Sequence, residues 1–151
     1  MNETLFSVAS VGAMLGWLAL GVAVIAPPGR LRASLMVAAG RWVPAALCVL
    51  YAWLLVMHWG SAPGGGFSSL AAVQALFAVP GKVLGGWVHF LAFDLWVGHW
   101  MAADVLARGR ARWPLLVLLP ATFMYGPLGL LLYLATRLAG AQPSPAAGPG
   151  R

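Results

Sequence analysis

Charge is what this chain has least of. Asp, Glu, Lys and Arg make up 8% of its 151 residues, against about a quarter of an ordinary soluble domain. So few charges cannot cover a water-facing surface, which excludes a conventional soluble fold and makes lipid part of the solvent. Acidic residues are scarcest, 3 against 9 Lys plus Arg. Cys48 is the single cysteine, so no internal disulfide can form, and within its apolar run it reads as a small packing side chain. A glycine-rich phosphate loop, a serine-nucleophile motif and a row of charges along several apolar runs are all missing. Nucleotide-hydrolysing and serine-hydrolase chemistry fall away with them.

What is present is hydrophobic sequence, 62% of the chain. At roughly 20 apolar residues per crossing, the pattern predicts an all-α integral membrane four-helix bundle in a single domain over residues 1–138. The expected spans are about 5–26, 42–59, 82–106 and 113–134, followed by a disordered Pro/Gly/Ala-rich tail at 139–151. The first run follows Glu3 rather than a basic segment and extends to Ala26 before Pro27, so it reads as a retained span and not a cleaved leader. Between spans two and three, FSSLAAVQALFAV is too short to cross. With Phe67, Leu70, Val73 and Phe77 near one face and Ser68 or Ser69 as a cap, it predicts a short interfacial or re-entrant helix. Pro120 and Pro127 are expected to kink the fourth span.

The net charge of +6 is not a nucleic-acid footprint. Arg30, Arg32 and Arg41 follow the first span, and Arg108, Arg110 and Arg112 follow the third. Basic residues at helix ends orient a membrane protein. With four spans these two linkers share the cytoplasmic side of a cell membrane, and both termini are expected outside it. Trp42, Trp59, Trp100 and Trp113 fall towards span ends, as interfacial indoles do. The Gly12/Gly16 and Gly81/Gly85 pairs read as close-packing positions.

Polar chemistry concentrates on the third span, GWVHFLAFDLWVGHWMAAD, which holds His89, Asp94, His99 and Asp104. An acid at the bilayer centre is costly, and it faces protein or water and marks a site. Asp94 is at the middle of this span, and a protonated, purely structural role is the competing reading. Depth matching places Tyr125, on the fourth span, as its expected hydrogen-bond partner. Asp104 lies about 15 Å further along, with Arg108 at i+4, which predicts a structural interface pair. His89 and His99 are each five residues from Asp94. Ligands to one metal on one helix need three- or four-residue steps, so no metal site is expected.

The stretch GWVHFLAFDLWVGHW resembles the family of plant neoxanthin synthases of the abscisic-acid-deficient type and their bacterial relatives. IAPPGRLR, FSSLAAVQALFAVPGKVLGGW and FMYGPLGLLLYLATR carry the likeness across nearly the whole chain apart from the tail. The motif matches at Trp87, His89, Asp94, Gly98, Trp100 and Asp104, while His99 stands where plant-type members are expected to have Arg. The resemblance implies conversion of violaxanthin to neoxanthin, an isomerisation of an epoxide to an allene that needs an acid, a base and no cofactor. Asp94 and His89, with the depth-matched Tyr125, are the candidate catalytic residues, and Trp87 and Trp100, with the departing His99, the candidate substrate contacts. Expected partners are membrane lipid, a carotenoid or isoprenoid ligand, and a second copy or a pathway enzyme. Two other classes compete: a noncatalytic membrane partner that binds lipid or supports an enzyme, and a small transporter, which the lack of an inverted repeat disfavours.

Overall fold

Pro27 ends the first helix, α1 (Asn2–Ile25), as expected, but the arginine-bearing stretch after it is not a loop. In the computed structural model, which describes residues 1–139, Arg30 opens α2 (Arg30–Val37). A π-helical turn at Ala38–Trp42 carries α2 directly into α3 (Val43–Met57). The Val43 N–H reaches back to the Ala38 carbonyl, one residue further than an α-helix allows. Pro44 explains the wide turn: it has no N–H and its ring crowds the carbonyl four residues back, and one extra residue in the turn absorbs both problems. The result is a continuous apolar helix of 28 residues, Arg30–Met57.

Ser69 caps α4 (Leu70–Phe77), its hydroxyl accepting from the Ala72 N–H at 3.1 Å. The helix α5 (Pro80–Ala107) follows after a short turn. Together α1, Arg30–Met57 and α5 are three helices long and apolar enough to cross a membrane. Close contacts fix their directions. The Trp87 indole meets Ser10 and Gly98 meets Trp17 and Leu20, so α1 and α5 run parallel. Gly81 takes the His58 ring and Gly40 the His99 ring, so α3 runs against α5. Leu20, Leu95 and Leu115 are among the buried side chains of the core at one end, and Leu47, Leu84 and Val88 at the other.

The fourth span predicted at 113–134 is corrected by the structure. The segment breaks at Gly126 (φ +35°) into α6 (Leu115–Tyr125, 11 residues) and α7 (Pro127–Ala139, 13 residues). Each is well short of the roughly 20 residues that a crossing needs. Pro120 lies inside α6 without ending it, whereas Gly126 followed by Pro127 reverses the chain. A side chain on Gly129 would collide with the backbone of Thr122, so the two helices touch there as a tight antiparallel hairpin. The tip of the hairpin abuts Asp94, yet Tyr133 and Arg137 on α7 reach Asp104. The second arm therefore returns to the end of the bundle from which the first arm entered. Of the tail predicted at 139–151, residues 140–151 lie outside the described residues.

The arginine end is tied together by hydrogen bonds. Arg32 donates through both Nε (3.0 Å) and Nη2 to the Ala26 carbonyl. Arg112 donates through Nη1 to Val24 (3.1 Å) and Ala26 (3.3 Å). These carbonyls close α1 and have no partner within the helix, and cations at a helix C-terminus also suit its dipole.

Candidate functional site: an aromatic cleft at Asp94

Three elements enclose a cleft of about 550 Å³: α1, α5 and the tip of the α6–α7 hairpin. Phe6, Trp17, Trp87, Phe90 and Phe123 supply aromatic walls, and Asp94 is the one carboxylate in the lining. Helical spacing on α5 brings Trp87, Phe90, Leu91 and Asp94 to one face at steps of three and four residues. The Trp87 indole Nε1 donates to Ser10 Oγ at 3.1 Å, and its ring lies 5.5 Å from Phe6. Trp17 meets Phe123 edge to face at 5.6 Å.

Asp94 has no hydrogen-bonding side chain against it among the described residues. The expected bond from the Tyr125 hydroxyl does not form. Tyr125 lines the same cleft but is 64% exposed, and the chain reversal one residue later turns it outward from the level where a continuous span would have held it. The backbone of Gly126 stands there instead: a Cβ at that position would lie 2.6 Å from Asp94 Oδ1. Glycine is thus required twice over, by contact and by a positive φ.

Asp104 is surrounded by partners. Arg108 Nε donates to its Oδ1 at 2.9 Å, the Tyr133 hydroxyl donates to Oδ2, and Arg137 Nε stands 3.7 Å from Oδ2. Trp100 belongs to the same cluster, edge-on to Tyr133 at 5.5 Å with the Arg137 guanidinium 5.7 Å from its ring centre. Sequence reasoning had paired Asp104 with Arg108 and missed Tyr133. A lone tyrosine in a leucine-rich run gives no sign of its partner unless the hairpin is known.

The other two polar residues of α5 point elsewhere. His89 stacks on Phe93 at 4.6 Å and faces Tyr51 at 5.5 Å. It lines a separate cleft of about 370 Å³ between α3, α4 and α5, with Lys82 and Phe77. His99 packs on Gly40 and lines a third cleft with Arg41 and Trp96. Of the residues singled out from sequence, Asp94, Trp87 and Tyr125 therefore come together, while His89, His99 and Trp100 each lie apart from them. No group of three or more His, Cys, Asp or Glu side chains placed to hold a metal occurs among the described residues.

Three helices long and apolar enough to cross a membrane, with a short hairpin packed beside them, fit a helical membrane protein, and an acid in an aromatic cleft is its candidate site. Its sequence matches the model of the ABA DEFICIENT 4-like family over residues 4–133, and the chain belongs to that family. No curated protein and no solved structure matches it.

Proposed function

We propose that the protein takes an oxygenated, carotenoid-type isoprenoid from the bilayer and isomerises it at Asp94. The observation that carries this reading is the single carboxyl group set among aromatic walls in a cleft at the hairpin tip. Family membership points to the same substrate class. Aromatic faces suit a polyene and its end ring, and a carboxyl group in a low-dielectric surround acts strongly on any polar atom brought to it.

An epoxide-to-allene conversion requires no net proton, electron or cofactor. The protonated carboxyl of Asp94 gives its proton to the epoxide oxygen as the carbon–oxygen bond breaks. A base removes the proton from the adjacent polyene carbon, and the electron pair of that C–H bond becomes the second double bond of the allene. The carboxylate just formed can accept that proton, so Asp94 alone closes the cycle, with Trp87 and Tyr125 holding the end ring against it. His89 lines the neighbouring cleft, which shares Phe90 with this one.

The proposed topology has three crossings, with the arginine end in the cytoplasm by the positive-inside rule. The N-terminus is then outside, and the end of α7 lies inside with the arginines, replacing the arrangement with both termini outside. Reporter fusions after Ala139 should be active in their cytoplasmic form, and activity only in the exported form would overturn this topology. For the chemistry, purified protein in vesicles loaded with an epoxy-carotenoid should yield the allenic isomer. Binding of the carotenoid without conversion would overturn the isomerase and leave a noncatalytic lipid-binding partner.

A further inference from the structure

Arg41 is an exposed cation flanked by apolar sequence. It lies eleven residues into the apolar helix Arg30–Met57, about 16 Å from Arg30 along the axis, and the His99 ring packed on Gly40 marks the same level on α5. Neither Arg41 nor His99 makes a hydrogen bond or ion pair with another described residue. Both line a cleft of about 620 Å³ on the face opposite to the one Asp94 uses, with Trp96 and Cys48 beside them and no carboxylate in the lining. A guanidinium held at that depth without a counter-charge is costly in hydrocarbon, and its long stem lets the charged head rise towards the lipid phosphates.

From this we infer a binding site for an anionic phospholipid, with the phosphodiester held by Arg41 and His99 and the acyl chains lying along Trp96, Pro44 and Ala45. A guanidinium grips a phosphate through two parallel N–H donors. The π-turn contributes directly: its extra residue brings the Gly40 backbone against His99, where any side chain would strike the ring. This fixes the imidazole beside the arginine that follows Gly40. A zwitterionic headgroup carries its own ammonium, which competes with Arg41 for the phosphate, so the site favours net-anionic lipid. The inference stands on different residues from the Asp94 reading and does not depend on it.

Cys48, the sole cysteine, lines the cleft and is exposed, which makes it a reporter in the unmodified chain. Full-length protein in mixed micelles should be titrated with phosphatidylglycerol, with phosphatidylcholine and with inorganic phosphate. Two readouts apply: lipid retained in native mass spectrometry, and the rate at which a bilayer-permeant maleimide alkylates Cys48. Phosphatidylglycerol should be retained and should slow alkylation, while phosphatidylcholine and inorganic phosphate should do neither. Arg41→Gln should weaken retention on the order of tenfold and abolish the slowing, and Arg41→Lys should restore part of both. Equal retention of the two lipids by the parent chain, or unchanged retention in Arg41→Gln, overturns the site. If Arg41→Gln does not fold, the lipid comparison on the parent chain and the Arg41→Lys variant decide alone.

Discussion

Asp94 and Asp104 occupy one helix about 15 Å apart and live in opposite surroundings. Around Asp104 the protein has gathered two arginines and a tyrosine hydroxyl. Around Asp94 it has gathered aromatic rings and a glycine backbone. The same side chain is a fastener in the first place and a free chemical group in the second. The difference is set by the hairpin, whose second arm supplies Tyr133 and Arg137 to the lower acid while its tip offers the upper one no donor side chain. An acid whose valences are all taken holds structure together; one that is left open can meet a ligand.

The comparison is broken most sharply by matched amide substitutions. Asp94→Asn should insert and fold as the parent does, yet lower turnover of the proposed isomerisation by a factor on the order of 10² or more. Asp104→Asn should keep turnover near the parent's while lowering thermal stability in detergent. Reversal of that pattern, with Asp104 controlling turnover, would move the chemistry from Asp94 to Asp104. Next in size is Gly129→Leu, which forces a side chain into the Thr122 backbone. Overpacking of this kind costs about 1–3 kcal/mol or more, read as early unfolding and as protease access to the loop before α6. Tyr133→Phe removes one hydroxyl from a charged acceptor and should cost about 1.5–3 kcal/mol, measured by the same unfolding assay. Arg108→Gln should cost least, about 0–1 kcal/mol, because its side chain is 45% exposed and water screens the pair. A larger loss for Arg108→Gln than for Tyr133→Phe would show that the cluster is held by charge and not by the buried hydroxyl.

Much of the helical content was legible from composition, because long apolar runs with few charges leave the backbone no other way to satisfy itself in lipid. α1, α4 and α5 were expected within a few residues of where they lie. The Asp104–Arg108 pair was legible from i,i+4 spacing alone. Two features were not. The arginine stretch Arg30–Arg41 reads as a linker by charge, but it contains no residue that stops a helix, and the π-turn before Pro44 only becomes visible in three dimensions. The hairpin was hidden more deeply, since residues 113–134 have the length and hydropathy of a crossing. Gly126 and Pro127 were visible as a turn-forming pair, but whether they kink a helix or reverse it depends on what each arm packs against. Tyr133 finding Asp104 is a tertiary fact, and so is the failure of Tyr125 to reach Asp94.

The hairpin also bears on how the chain enters the bilayer. Neither arm alone offers an insertion machinery a full-length crossing, and a chain that reverses half-way has no segment to hand across to the far side. Such a pair is best delivered late and from one side, after α5 has already presented Leu95, Met101 and Val105 as a wall to lean on. Under the proposed topology biogenesis then has an order built into it: the three long helices first, and the cleft last. Until α6 and α7 dock, Asp94 has no roof, so the site is assembled only in a chain whose synthesis has reached Tyr133 and Arg137, the residues that latch the hairpin shut.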